Sequence, residues 1–149
     1  MATESKVYSF NQIQVFFKHT DQHGFIHPYN FLEWTSYVRE AFFQEKVPNF
    51  LELTDGRIKM MTTRITCDLF LDCMFGDKLE AHITFEKIRH YSFNVKTTFL
   101  NLRLSKVVCA TEHTLVFVDS ERGKFASIPT ELLQPVLEHS KDVKKSYHN

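Results

Sequence analysis

The sequence has 149 residues, enough for one domain with a sizeable core. Hydrophobic residues make up 43% and charged residues 24%, so the composition excludes a largely disordered chain. Eighteen basic residues balance eighteen acidic ones, and nothing predicts a nucleic-acid partner or an anionic membrane surface. No apolar run approaches the roughly 20 residues of a membrane helix, and no apolar segment follows a basic start. We therefore expect a cytoplasmic protein with no membrane partner.

The first predicted elements are a strand and a long helix. Tyr8 to Lys18 is rich in β-branched and aromatic residues, which predicts a strand. From Tyr29 to about Lys46, apolar residues recur at three- and four-residue spacing without glycine or internal proline, which predicts an amphipathic helix with a broad, mostly enclosed apolar face. Pro28 suits the first helical position and Pro48 lies just past the end, so both boundaries are marked.

The rest of the chain alternates with period 2, most clearly from Leu79 to Glu86. Tight turns such as Phe75-Gly76-Asp77 separate the segments, which predicts an antiparallel meander of consecutive strands. The apolar positions change parity near Phe99, which indicates a bulge or a strong twist there. The predicted strands cover approximately residues 58–73, 77–88, 91–104 and 106–118, and a short capped helix from Thr130 to His139 follows. This order predicts an α+β fold in which an antiparallel sheet wraps around one long central helix, as a single domain over residues 1–149.

Two residue types bear on the interior. Cys67, Cys73 and Cys109 are odd in number and show no CxxC spacing, which predicts reduced, buried thiols. Fifteen phenylalanines against four glycines predict a bulky apolar interior, with apolar surface available for a subunit interface or an apolar ligand. Ordinary core packing is the alternative explanation.

The loop from His19 to Asn30 has three interpretations. It can be a surface loop in which Gly24 supplies a turn and His27 caps the helix. It can be a metal site, although its possible ligands match no established ligand spacing, and we predict no metal. In the third interpretation Asp21 is a catalytic carboxylate facing the free amides of a helix N-terminus, an arrangement that suits acyl transfer.

The loop and helix resemble the hotdog-fold thioesterases of the 4-hydroxybenzoyl-CoA type. The resemblance rests on Thr20-Asp21-Gln22-His23-Gly24-Phe25-Ile26, Asn30-Phe31-Leu32-Glu33-Trp34 and Arg39-Glu40. The sequence is also similar to acyl-carrier-protein thioesterases of enediyne polyketide pathways, which tend to carry asparagine at the position of Asp21. The resemblance implies the hotdog fold, a homodimer or homotetramer, no cofactor, and a substrate that is an acyl-CoA or an acyl-carrier protein.

The resemblance also implies roles for individual residues. Asp21 corresponds to the general base or nucleophile, while Gly24 and Asn30 support the substrate-binding loop. Proline stands at position 28, where the 4-hydroxybenzoyl-CoA enzymes have a tyrosine whose backbone N–H polarises the carbonyl. The oxyanion contact must then come from the amide of Tyr29, or from the amide or ring of His27.

Arg39 resembles an arginine in the substrate region of the enediyne-type enzymes. Eleven residues of helix from Pro28 span roughly 16 Å, so Arg39 is predicted to bind substrate away from Asp21. A salt bridge on the helix face is the alternative. The sequence therefore predicts a thioester hydrolase, with two rivals that keep the fold: a non-catalytic protein that binds an acyl chain or carrier protein, and a dehydratase or hydratase.

Overall fold

The computed structural model describes residues 6–140 of the chain. The elements in chain order are β1 (Tyr8–Gln14), α1 (Tyr29–Lys46), α2 (Phe50–Asp55), β2 (Ile58–Leu69), β3 (Lys78–Glu86), β4 (Ser92–Asn101), β5 (Lys106–Asp119), β6 (Lys124–Phe125) and α3 (Thr130–Glu138). The prediction of one domain over residues 1–149 reaches beyond the described residues and stays a prediction.

The sheet is antiparallel and has the order β1-β3-β4-β5-β2, with β6 paired to β5. Consecutive pairing of β3, β4 and β5 confirms most of the predicted meander, but β2 pairs with β5 at one edge and never contacts β3 as a neighbour. The turn at Gly76 explains the error. Its backbone bonds to the segment after β1, through Gly76 N–H to Val15 O at 2.8 Å and Val15 N–H to Asp77 O at 2.8 Å, instead of joining two paired strands.

β1 is shorter than predicted, because it ends at Gln14 and a 3₁₀ turn follows over Phe17–His19. The Phe16 amide donates to His19 Nδ1 at 2.9 Å, and the His19 amide donates to Phe16 O at 2.9 Å. These local bonds take the groups that a continuing strand would offer to a neighbour. The chain therefore leaves the sheet edge just before the histidine-rich loop.

The helix α1 has the predicted bounds, and it lies against the inner face of the curled sheet. Phe31, Val38 and Phe42 are fully buried, and the rings of Phe31 and Phe99 meet edge-on at 5.1 Å between centroids. Burying each such phenylalanine stabilises the fold by about 1.5–3 kcal/mol. The helix is less enclosed than predicted, since Tyr37 on its opposite face is 59% exposed.

Two further predictions on the strands are confirmed. Leu79, Ala81, Ile83 and Phe85 are fully buried on the inner face of β3. The pairing of β4 with β5 shifts register between Phe99 and its neighbour, which is the predicted bulge. The bulge keeps the long strands curled around α1.

The terminal helix and the cysteines were also predicted. α3 ends one residue before His139 and follows Pro129 without a side-chain cap at its N-terminus. At its C-terminus His139 caps the helix, because its Nδ1 lies 2.8 Å from Pro135 O and its backbone N–H donates to the last carbonyls. All three cysteines are free; Cys73 and Cys109 are buried, and Cys67 is partly exposed. Within residues 6–140, no helix is long and apolar enough to cross a membrane.

Candidate active site at the start of the central helix

The residues before α1 fold into a tight hairpin. Thr20 and Ile26 form an isolated antiparallel bridge, and Asp21 N–H donates to Phe25 O at 2.7 Å. Gly24 closes the turn with φ +83°, a value that side chains with a Cβ rarely adopt. The hairpin therefore holds Asp21 on one arm, directly before the turn.

The two carboxylate oxygens of Asp21 differ in their hydrogen bonds. Its Oδ1 accepts hydrogen bonds from the backbone N–H groups of His23 at 2.8 Å and Phe25 at 3.1 Å. These two bonds, that from His23 first, lower the pKa of Asp21, so the group is ionised at neutral pH. Within the described residues Oδ2 has no hydrogen-bond partner, so one charged oxygen remains available to a substrate or water.

Asn30 closes the loop that carries this hairpin. Its buried side-chain amide donates to the carbonyl oxygens of His19 and His27, both at 2.9 Å. Those two residues lie at opposite ends of the loop, and Asn30 itself belongs to the first turn of α1. The asparagine thus fixes the hairpin to the helix N-terminus.

The amides at this helix end are not equivalent. His27 N–H donates to His19 O at 2.9 Å, and Phe31 N–H donates to Pro28 O at 3.0 Å. Pro28 has no N–H. The Tyr29 amide has no acceptor within the part of the chain that the structure describes. Of the two amides that the sequence left open as oxyanion donors, only that of Tyr29 is therefore free, and the His27 ring stacks on the Tyr29 ring with centroids 5.3 Å apart.

A second segment of chain supports the hairpin. Ile26 N–H donates to Cys73 O at 3.0 Å, and Phe25 forms a bridge with Met74. Met74 N–H in turn donates to Asp77 Oδ2 at 2.9 Å. Sequence reasoning missed this support, because the Gly76 turn looked like an ordinary hairpin between consecutive strands.

Asp77 anchors the supporting segment to the sheet. Its buried carboxylate accepts from Arg103 Nε at 2.6 Å, from Arg103 Nη2 at 3.1 Å and from Asn101 Nδ2 at 2.9 Å. These bonds, with that from Arg103 largest, lower the pKa of Asp77 to about 2. Every oxygen of this carboxylate is occupied, so we assign it a structural role.

A cleft of about 420 Å³ lies on the β1 side of the helix N-terminus. Tyr29, Asn30 and His19 are among its lining residues, and Asp21 is not. His19 contacts the Trp34 ring at 5.0 Å between centroids, and burial lowers the pKa of its imidazole. Across residues 6–140, no group of three or more histidine, cysteine, aspartate or glutamate side chains is arranged to hold a metal.

Arg39 lies on α1, ten residues after Tyr29, and its guanidinium contacts His113 on β5. Phe31, Thr35 and Arg39 recur at four-residue spacing and face the inner surface of the sheet. Thr35 Oγ1 contacts Thr111 Oγ1 at 2.6 Å, and Arg39 Nη1 contacts His113 Nδ1 at 3.0 Å. Within the described residues no carboxylate lies within 4.0 Å of Arg39, so the alternative of a helix-face salt bridge is not formed there.

His113 is a residue that the sequence did not single out. It is 1% exposed, and burial together with the nearby Arg39 lowers its pKa to about 4. The alternation of buried positions along β5 carried the signal, since it places residue 113 on the inner face among Cys109, Thr111 and Leu115. What the sequence could not show is that Arg39 is its neighbour.

Apolar side chains surround the hairpin on the protein surface. Phe17 and Phe75 stack with ring centroids 3.8 Å apart, although both are exposed. Further exposed apolar residues follow near the hairpin and along the edge strand: Phe16, Phe25, Met61, Ile65, Leu69, Phe70, Leu71 and Met74. This surface matches the expectation of apolar area beyond the core.

Comparison with known proteins places the chain in a family. The model of the thioesterase-like superfamily matches residues 15–136, and the chain belongs to that superfamily. A comparison with curated proteins found no match.

Solved structures extend this result to the fold. A 1,4-dihydroxy-2-naphthoyl-CoA thioesterase from Synechocystis is 16% identical, with a TM-score of 0.77 over 88% of this chain and 96% of that one. The dynemicin thioesterase is 15% identical, with a TM-score of 0.81 over 92% and 98%. A Staphylococcus aureus protein solved in complex with CoA is 12% identical, with a TM-score of 0.81 over 93% and 87%. The predicted hotdog fold is thereby confirmed, while the narrower 4-hydroxybenzoyl-CoA type stays a prediction.

Proposed function

We propose that this protein hydrolyses acyl thioesters, with Asp21 as general base or nucleophile and the Tyr29 amide as oxyanion donor. The observation that carries the proposal is the state of Asp21: its Oδ1 accepts two backbone N–H bonds, while its Oδ2 has no hydrogen-bond partner among residues 6–140. Membership of the thioesterase-like superfamily supports thioester hydrolysis as the general reaction.

As a general base, Asp21 takes a proton from water while the water oxygen bonds to the acyl carbon. The carbonyl electron pair moves to the oxygen, which accepts a hydrogen bond from Tyr29 N–H at the positive end of α1. The carbon–sulfur bond then breaks, and the proton on Asp21 passes to the departing thiolate. The products are a free acid and a thiol.

As a nucleophile, Asp21 attacks the acyl carbon directly and displaces the thiolate, which leaves a mixed anhydride on the carboxylate. Water then cleaves the anhydride and restores Asp21. In both routes Gly24 and Asn30 hold the carboxylate in position, and the ring of His27 stacks on the ring of Tyr29, the residue that carries the proposed donor amide.

The substrate carrier is CoA or an acyl-carrier protein. A structural neighbour solved with CoA supports the first, and the sequence resemblance to acyl-carrier-protein thioesterases of enediyne pathways supports the second. The dynemicin thioesterase, a structural neighbour studied with a polyene, supports a place in polyketide biosynthesis. We further propose a homodimer or homotetramer in the cytoplasm. The long edge strand β2 supports assembly, because Met61 and Ile65 are each 50% exposed on it.

The alternative is a protein that binds an acyl chain or a carrier protein without hydrolysing it. Pro28 favours this alternative, since the N–H that would be offered by any other residue there is missing. The two functions differ in one observable: thiol release.

The test compares wild type with Asp21→Ala on short, long and aromatic acyl-CoA and acyl-carrier substrates. Removing the general base or nucleophile should lower kcat by about 100-fold to 10,000-fold. Asp55→Ala, which removes an exposed carboxylate at the end of α2, is the matched control and should leave turnover unchanged. Full turnover in Asp21→Ala would refute the role of Asp21. Binding without thiol release in wild type would establish the alternative.

A further inference from the structure

Arg39 is a cation placed among buried side chains, and no carboxylate of residues 6–140 lies within 4.0 Å of it. Its contacts are Thr62 Oγ1 at 3.5 Å and His113 Nδ1 at 3.0 Å, and both are neutral groups. Its Nε is buried and has no hydrogen-bond partner within the described residues. Burial lowers the pKa of the guanidinium, which shows that the charge is held against a desolvation cost.

The contact with Arg39 fixes the tautomer of His113. A guanidinium has only donors, so His113 Nδ1 must accept the hydrogen bond. The imidazole is neutral at pH 7 because its pKa lies at about 4, and its proton therefore resides on Nε2. That Nε2–H is buried and has no acceptor among residues 6–140. The pair thus presents two unused N–H donors and one uncompensated positive charge.

Within a single subunit the pair can be approached from the edge of the sheet, so the proposed assembly through β2 would place a bound ligand beside the subunit interface. His113 pairs with Ile65 on β2, and directly paired residues of antiparallel strands point to the same face. Yet His113 is 1% exposed while Ile65 is 50% exposed, so α1 covers the inner face at β5 and leaves it open at β2. Thr62, which contacts Arg39, lies on the same open stretch of β2.

The distance along α1 between the Tyr29 amide and Arg39 determines how long a ligand must be to reach both. Arg39 follows Tyr29 by ten residues, which corresponds to about 15 Å along the helix. A group bound at Arg39 is therefore remote from a thioester carbonyl held at the helix N-terminus. Within one molecule, such a group belongs at the far end of an extended acyl chain.

We propose that Arg39 and His113 bind a carboxylate carried at the distal end of the acyl group, so that the protein selects thioesters of dicarboxylic acids. This inference rests on the proposed hydrolysis for its link to catalysis. A carboxylate carries one negative charge, which matches the one uncompensated cation, and its two oxygens suit a planar guanidinium and a neighbouring N–H. A phosphate of CoA fits less well, because it would bring further charge into an apolar surrounding that includes Val95 and Leu115.

The test uses pairs of acyl-CoA substrates of equal chain length, one ending in a methyl group and the other in a carboxylate. Wild type is compared with Arg39→Gln and His113→Leu, and the matched control is Arg122→Gln, which alters an exposed arginine in the turn after β5. We expect wild type to prefer the carboxylate-ended substrate in kcat/KM. Each of the two site variants should reduce that preference by about tenfold or more, and Arg122→Gln should leave it unchanged.

Calorimetric binding of the free dicarboxylic acid, compared with the monocarboxylic acid of the same length, separates this inference from hydrolysis. Arg39-dependent binding of the dicarboxylic acid without turnover of any thioester would support the carboxylate site and refute the proposed hydrolysis. Equal kcat/KM of wild type for the methyl-ended and the carboxylate-ended substrate would overturn the inference. If Arg39→Gln lost as much affinity for CoA without an acyl group as for the carboxylate-ended acyl-CoA, that result would also overturn the inference and would indicate a phosphate site.

Arg39→Lys, a variant that keeps the positive charge, provides a test that does not depend on whether His113→Leu folds. Arg39→Lys retains the cation but loses the planar pair of donors, so its preference for the carboxylate-ended substrate should lie between those of wild type and Arg39→Gln. Unchanged preference in Arg39→Gln, with folding verified by circular dichroism, would contradict the carboxylate site whatever His113→Leu does.

Discussion

Replacing Asp77 with asparagine should destabilise the protein in a pH-dependent way. The structure lowers the pKa of Asp77 from 3.8 to about 2, chiefly through the hydrogen bond from Arg103. One pKa unit corresponds to about 1.4 kcal/mol, so the shift amounts to about 2.4 kcal/mol. Arg103 is 49% exposed, and screening at its outer side reduces the effect to about 2 kcal/mol.

The sign of the pH dependence follows from the direction of the shift. A carboxyl whose pKa is depressed on folding contributes its full stabilisation above the unfolded pKa and loses it as the pH falls through the folded value. The difference between wild type and Asp77→Asn should therefore be complete at pH 7. By pH 3 it should shrink to roughly half, because the protonated unfolded chain is then favoured.

Urea denaturation at pH 7, 5 and 3 measures this difference directly, with all proteins at one concentration. At pH 7 we expect Asp77→Asn to lower the free energy of unfolding by about 2 kcal/mol, or the melting temperature by about 4–8 °C. Asp55→Asn is the control, because that carboxylate is exposed and its replacement should change little. Equal stability of Asp77→Asn and wild type at pH 7, or a difference that does not change down to pH 3, would refute the reasoning.

Two further predictions concern the loop and the edge strand. Asn30→Ala removes both hydrogen bonds that join His19 O and His27 O to the helix. It should lower the free energy of unfolding in urea by about 2 kcal/mol and lower kcat at least tenfold. An unchanged kcat would contradict the supporting role of Asn30. Lysine at both Met61 and Ile65 should reduce the molar mass in light scattering to that of a monomer, and an unaltered oligomer would show that β2 is not the interface.

The elements that the sequence predicted well are those with local determinants. α1 begins at Tyr29 and ends at Lys46 because Pro28 and Pro48 mark its boundaries and its periodicity continues between them. The inner face of β3 followed from strict alternation. The turn at Gly24 was predicted from the glycine alone, and the structure shows it with φ +83°, whereas the hairpin around it was not predicted.

The elements that were missed depend on contacts distant in sequence. β2 pairs with β5 across about fifty residues, and only tertiary packing chooses that pairing over the nearer β3. Arg39 and His113 are 74 residues apart, so neither reveals the other in the sequence. The support of the hairpin by Asp77 also depends on the Gly76 turn bonding to Val15 instead of reversing between paired strands.

Asp21 and Asp77 show how the structure separates a candidate catalytic carboxylate from a structural one. Both accept backbone N–H bonds in turns, and both have a lowered pKa. Asp77 is buried, both of its oxygens are occupied, and Arg103 neutralises its charge, so it has no capacity left for a reacting group. Asp21 is partly exposed and ionised, it has no cationic partner within 4.0 Å among the described residues, and it keeps Oδ2 unbound. A base or nucleophile needs a held but unoccupied oxygen, and of these two residues only Asp21 provides one.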